Sequence, residues 1–419
     1  MSHTPESPCA TAAVDATRRR LLFGASVLPV VAGSGLAVTA QPAHASLKTT
    51  ARIVIAGSGL GGLAIASRLS RELDGARITI IDRKEVHNYQ PGYTLVATGI
   101  WPVGKVSDRN ADLVPAGVEW VREMVAEFDP EANAVVTDSG KRIEYDYLVV
   151  ATGLHLDFAQ IEGMDVAAIG THGLGCVYPS PAAAEATWQA MDAFRQKGGQ
   201  ALMTLPATPL KCAGAPLKMT FMIADRLKQA GTRTRSKIDF HSALGNIFSV
   251  PRINEEVLRR WAELDIPVTF NSKLVAVDVG ARRATVSSPE GERTEIDYDF
   301  IHVVPPMRAP DPVKNSPLSW KEGGFAAGGW LEVDPKTLRH RRFPNVFGIG
   351  DINGTGKGKT AATVKKSAPI VAQHLIDVIA GREPSLVFDG YTSCPLLLRE
   401  GSALLIEFDY NNNLTPSLP

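Results

Sequence analysis

Ala51-Arg52-Ile53-Val54-Ile55-Ala56-Gly57-Ser58-Gly59-Leu60-Gly61-Gly62 decides the fold of this chain. The first six residues have an apolar, β-branched centre and read as a short buried strand. The glycines that follow carry the pattern G-x-G-x-x-G, and Leu63 to about Leu73 reads as a helix. A second strand, Ala76 to Ile81, ends in Asp82. Gly57 permits the tight turn out of the strand, Gly59 lets the backbone approach a pyrophosphate, and Gly62 lets helix and strand pack closely. The helix N-terminus turns its amides on the phosphates, with Ser58 in the same loop. Asp82 is placed for the adenosine ribose hydroxyls. Arg83 and Val125 are counted with the same cofactor site. The glycine pattern alone is weak, but strand, loop, helix, strand and acid in this order make it specific.

Two later strands extend the reading. Tyr145 to Val150 runs into Ala151-Thr152-Gly153, and Phe343 to Ile349 runs into Gly350-Asp351. Both resemble the two-dinucleotide-domain flavoproteins, in which the first turn closes the FAD domain and the Gly-Asp acid binds the ribityl chain. That resemblance implies FAD, held also by Thr152, Gly153, Gly350 and Asp351. The expected fold class is α/β, with two Rossmann-like dinucleotide-binding domains in a glutathione-reductase-like arrangement. Residues 46–154 and 300–385 would form the FAD domain, 155–299 a second domain, and 386–419 a short C-terminal segment.

Within 155–299, Gln200 to Leu205 reads as the first strand, Lys218 to Gln229 as the helix and Lys237 to Ala243 as the next strand. The connection Pro206 to Pro216 lacks a second G-x-G-x-x-G, and its prolines remove amide donors. A functional NAD(P)H loop is therefore not expected. Cys212 stands in its place, just before the helix. Lys211 and the helix N-terminus both favour its thiolate, the form active in disulfide exchange. A buried, inert cysteine is the alternative.

At 419 residues, with 44 Lys plus Arg against 44 Asp plus Glu, the chain can build two or three domains and offers no charge bias toward nucleic acid. Thr17-Arg18-Arg19-Arg20-Leu21-Leu22 opens a weakly apolar stretch that ends at Ala43-His44-Ala45. This reads as a twin-arginine signal spanning residues 1–45, with a periplasmic mature chain; a membrane anchor is the alternative. Cleavage removes Cys9 and leaves Cys176, Cys212 and Cys394, an odd number in an oxidising compartment. The histidines show no metal-ligand spacing.

Leu210 to Lys218 (LKCAGAPLK), Lys359 to Val364 (KTAATV) and Asp389 to Leu398 (DGYTSCPLLL) resemble the sulfide:quinone oxidoreductase family. His87 to Gly99, His302 to Met307 and Ile406 to Tyr410 fit the same family, particularly the branch with the mitochondrial enzymes. The match spans roughly residues 50 to 410. It implies that Cys212 and Cys394 face each other beside FAD, joined directly or through an extra sulfur. Sulfide would open that bridge and leave a persulfide on one cysteine. The other thiolate, assigned to Cys212, would act at the flavin, and two electrons would pass through FAD to quinone. The sulfur would go to a second sulfide or another acceptor. Lys359, Thr360 and Ala361 match the segment along the flavin ring, where backbone amides would stabilise the reduced form. Cys176 matches a third cysteine of many bacterial members, as helper thiol, covalent flavin link or bystander. His87, Tyr89 and Pro91 fit a flavin-side segment or plain packing.

Family members continue past the segment matching Ile406 to Tyr410 into amphipathic helices that sit in the lipid interface. This chain ends nine residues later. The resemblance thus leaves peripheral membrane contact, a shortened chain and a soluble acceptor as alternatives. A second reading is the flavoprotein subunit of flavocytochrome c sulfide dehydrogenase, which passes electrons to a haem partner. A non-catalytic flavoprotein sensor is a third, and the missing second glycine loop argues against a type II NADH dehydrogenase.

Overall fold

The computed structural model describes residues 46–417, so the twin-arginine stretch and Cys9 lie outside the described residues. The chain begins with β1 (Arg52–Ala56), α1 (Leu60–Glu72), β2 (Arg77–Ile81), β3 (Glu119–Val121) and β4 (Tyr147–Val150). It continues through β5 (Leu174–Gly175), α2 (Pro181–Lys197), β6 (Gly199–Leu205) and α3 (Ala215–Gln229). Then come β7 (Ser236–Ser242), α4 (Pro251–Glu263), β8 (Val268–Thr269) and β9 (Phe300–His302). It returns with β10 (Val346–Gly348) and α5 (Ala361–Ile379). The close is four short strands, β11 (Thr392–Ser393), β12 (Leu396–Arg399), β13 (Ser402–Leu404) and β14 (Glu407–Phe408).

Two five-stranded parallel sheets result, in the orders β10-β4-β1-β2-β3 and β5-β9-β6-β7-β8. Each is accompanied by a three-stranded antiparallel sheet, within 125–144 and 273–297. One architecture is used twice. Parallel strands covered on both faces are continuously apolar, and Ile53, Ile55, Leu148, Leu202 and Ile238 are all fully buried. β10 pairs with β4, Val346 opposite Leu148, so the segment after the insertion rejoins the first sheet. β9 belongs to the second sheet and lies just past the 155–299 boundary read from the sequence.

α3 begins at Ala215, three residues before the expected start. Pro216 sits in the first helical turn, where its missing amide has no partner to lose. α1 packs on α5, and β12 packs on α3. That last contact carries the C-terminal segment to the loop between β6 and α3.

Candidate active site

The first glycine loop has the geometry its spacing predicts. Gly57 has φ +115°, and a side chain there would strike the Ala151 carbonyl. A side chain at Gly62 would strike the Gly57 carbonyl. At Gly59 nothing lies within 4 Å of where a Cβ would stand, so that space is open. Asp82 Oδ2 accepts the Ser58 amide at 2.8 Å and the Ser58 hydroxyl at 3.0 Å, and Oδ1 accepts the Lys84 amide at 2.9 Å. Asn110 donates to Ser58 Oγ at 2.8 Å, a partner far away in sequence that no local pattern announces. Carboxylate lone pairs remain for ribose hydroxyls.

The other expected cofactor residues line up unequally. Thr152 Oγ1 is buried with no hydrogen-bond partner, and Gly153 and Gly350 hold φ of +69° and +83°. Burial raises the Asp351 pKa, opposed by Lys359 and Lys211. Lys359 turns its ammonium inward, donating to the carbonyls of Asp351 (2.6 Å) and Asn353 (2.8 Å) and lying 3.7 Å over the Trp330 ring. Thr360 caps α5 by accepting the Thr363 amide, and Ala361 opens that helix. Val125 is a buried strand residue, and Arg83 is turned into an ion pair with Asp138. The open Gly59, the orphaned Thr152 hydroxyl and Asp351 fit an FAD laid from α1 toward α5.

The two cysteines meet at the end of this line. Cys212 and Cys394 place their sulfurs 3.9 Å apart. Cys212 has φ +49°, a left-handed conformation uncommon for a residue with a side chain. Its amide donates to the Lys359 carbonyl at 2.9 Å, tying the β6–α3 loop to the N-terminus of α5. Cys394 lies between β11 and β12, and its amide donates to the Ile406 carbonyl at 2.8 Å. Lys218 Nζ, on the first turns of α3, lies 3.5 Å from Cys212 Sγ. The Cys394 S–H donated to Cys212, together with the Lys218 ammonium, holds the Cys212 thiol well below its ordinary pKa despite burial. The same contact and burial push Cys394 the other way. The pair is thus a thiolate beside a thiol.

Sequence reasoning named Lys211 and missed Lys218, the lysine in contact with the sulfur. Lys211 directs its ammonium to Gln90 Oε1 at 2.8 Å and to the Tyr178 carbonyl at 3.3 Å. The left-handed turn at Cys212 sends neighbouring side chains apart, and the helical register of α3 brings Lys218 back. Gly214 was missed as well. A methyl group there would overlap Cys394 Sγ, although its own backbone is helical at φ −82°. Gly214→Ala is therefore expected to cost about 1–3 kcal/mol by overpacking. Thermal melts check this, and a wild-type melting temperature would show that the contact is loose.

Cys176 stands apart. Its thiol is fully buried, its pKa is pushed up to about 12 by that burial, and its amide donates to Thr187 Oγ1 at 2.9 Å. It makes no sulfur contact with either member of the pair.

Residues 51–200 match the family described as pyridine nucleotide-disulphide oxidoreductase. Over 375 residues the chain is 35% identical to the mitochondrial sulfide:quinone oxidoreductase of Mus musculus, covering 88% of this chain and 80% of the mouse protein. The protein of the same name from Dictyostelium discoideum is 37% identical over 374 residues, with 89% and 81% covered. This chain belongs to the sulfide:quinone oxidoreductase family. The solved sulfide:quinone oxidoreductase of Aquifex aeolicus shares the fold, with TM-score 0.73 and 22% identity over 87% of this chain and 84% of that one.

Proposed function

We propose that this protein oxidises sulfide and reduces quinone, with FAD as cofactor and Cys212 and Cys394 as the sulfur-handling pair. The observation that carries the reading is the 3.9 Å approach of the two sulfurs, with Lys218 against Cys212 and the α5 N-terminus alongside. In the oxidised pair, hydrosulfide attacks Cys394 Sγ and the bond to Cys212 breaks. Cys394 then carries the persulfide, and the electron pair leaves on Cys212. The direction follows from acidity: the lower-pKa thiol is the faster leaving group, and Lys218 compensates its charge. An acceptor then removes the outer sulfur, leaving two thiols. Re-forming the cysteine bond releases two electrons; a bound FAD would supply the two-electron acceptor between the pair and a quinone.

The test is anaerobic addition of sulfide to the purified FAD form, followed by a short-chain quinone or a c-type cytochrome. Bleaching by sulfide and recovery with quinone is the expected result. No bleaching would sink the reading, and recovery with cytochrome alone would transfer it to a flavocytochrome-type flavoprotein subunit. The twin-arginine stretch makes the periplasm its proposed location. Membrane contact, where made, is peripheral; among the described residues no helix is long and apolar enough to cross a bilayer.

Lys218→Met gives a separate check. Removing a cation 3.5 Å from the sulfur should raise the Cys212 pKa by about 1–3 units. The pH profile of iodoacetamide alkylation in the reduced protein should move to higher pH by that amount. An unmoved profile would remove Lys218 from the mechanism.

A further inference from the structure

α3 grips the C-terminal hairpin at both of its ends. At the N-terminus of the helix, Gly214 leaves room for Cys394 Sγ. Near its C-terminus, Asp225 and Arg226 hold Glu400, in the turn between β12 and β13. The Glu400 amide donates to Asp225 Oδ2 at 3.2 Å, and Arg226 Nη1 donates to Glu400 Oε2 at 2.7 Å. The two spans match. The helix from Gly214 to Arg226 rises about 18 Å, and an extended chain from Cys394 to Glu400 covers about 20 Å. β12 thus runs alongside α3 from the sulfur pair to the latch.

Apolar packing holds only the root of this hairpin. Leu396 is fully buried, whereas Arg399, Glu400 and Gly401 at the tip are exposed. Among the described residues, Glu400 makes both hydrogen bonds between the hairpin and α3. Arg226 is a fixed post for them. Its residue is 7% exposed, its Nε donates to the Thr98 carbonyl at 2.9 Å, and Nη1 also donates to Gln229 Oε1 at 2.7 Å. Thr98 follows the short helical turn Tyr93–Val96. The guanidinium lies 5.7 Å over the Trp188 ring of α2, and that ring fills the space a side chain at Gly99 would need. A planar fork with several partners in fixed directions loses little freedom when it adds one more.

We propose that Arg226 is a positioning residue for the sulfur pair. Through Glu400 it holds the hairpin along α3 and so keeps Cys394 within reach of Cys212. The inference rests on the reading of Cys212 and Cys394 as a redox pair. With the tip released, the hairpin pivots about its buried root, and Cys394 Sγ sweeps a larger volume. The effective concentration of one sulfur at the other then falls. Glu400 is half open to solvent, which screens its pairing with Arg226, so the effect is several-fold rather than many orders of magnitude. Arg226 takes no part in bond making.

A glutathione titration tests this. The FAD-loaded protein is equilibrated anaerobically with glutathione and glutathione disulfide, and free thiols are trapped by alkylation and counted by mass. Opening the Cys212–Cys394 bond puts one electron and one proton on each sulfur, and two glutathiones supply them as they join in a disulfide. The equilibrium constant for closing the pair should fall about fivefold in Arg226→Gln and about threefold in Glu400→Gln. The double variant should match Arg226→Gln, because both changes break one contact, and Arg226→Lys should restore part of the loss. In the reduced protein, the pH profile of Cys212 alkylation should move upward in both single variants as the Cys394 contact loosens. Glu400→Gln alters an exposed turn, so it carries the test if Arg226→Gln fails to fold. A lower melting temperature with an unchanged closing constant in these variants overturns the inference and leaves Arg226 a packing residue. A wild-type pair that no glutathione ratio closes overturns it as well. If sulfide does not bleach the wild-type flavin while the closing constant still follows Arg226, the sulfide chemistry fails and the positioning role stands.

Discussion

Replacing either Cys212 or Cys394 by serine is expected to slow sulfide-driven bleaching of the flavin by ~10³-fold or more while FAD stays bound. The two changes fail for different reasons. In Cys394→Ser the contact between the two side chains is lost, but Lys218 is untouched at 3.5 Å, so Cys212 keeps the cation that favours its thiolate. Alkylation of Cys212 should then survive near neutral pH although sulfide no longer reduces the flavin. In Cys212→Ser the Lys218 ammonium, 6% exposed, loses its counter-charge, and this variant should also be less stable. The cradle around Gly59, Thr152 and Asp351 is made by other residues, which is why cofactor content should hold. Anaerobic stopped-flow absorbance with a parallel count of released flavin measures both. Wild-type bleaching in either variant would remove the pair from the reaction.

The second large effect is on stability in acid. His302 is fully buried on β9, and neither ring nitrogen has a hydrogen-bond partner among the described residues. Burial pushes its pKa down to about 3. His340 is pushed down to about 4, chiefly by burial. Its Nδ1 accepts the amides of Arg342 and Phe343, and its Nε2 donates to the Leu318 carbonyl, so protonation would break two bonds. Burial lowers His241 as well. A base whose folded pKa lies below its unfolded value binds more protons when unfolded. Its stabilisation is therefore complete above about pH 6.5 and is lost as pH falls toward the folded pKa. By pH 5 the loss should be about 2 kcal/mol each for His302 and His340. Urea titrations at pH 7.5 and 5 measure it, and His302→Met should flatten part of the slope by removing unpaired polar atoms. Equal stability at the two pH values would mean that these rings are hydrated or paired.

Much of the fold is readable along the chain because its signals are local. The Gly57–Gly62 loop, the apolar strand before it and Asp82 after it each report on neighbours within one supersecondary unit. The same holds for β6, β7 and β10, whose apolar runs set their positions to within three residues. Helix starts were less legible. Pro216 breaks a helix interior but suits a first turn, and which of these applies depends on where the preceding loop ends.

The site divides in the same way. The two cysteines proposed to act together could be read from LKCAGAP and YTSCPLL, through their likeness to a family and through the absent second glycine loop. Which charge serves them could not. Lys211 is adjacent in sequence and points elsewhere; Lys218 is six positions away and points back, because one left-handed residue and a helical turn intervene. Gly214 gives way to a sulfur that arrives 180 residues later. Arg226 holds Glu400, which lies 174 positions further along the chain. By itself the sequence determined the two-domain α/β class and the dinucleotide loop and singled out the two cysteines proposed as the sulfur pair, since each rests on local pattern or on a motif. Only the tertiary structure decided which cysteine is acidic and what surrounds the pair, because electrostatics and packing act between residues that are near in space and far apart along the chain.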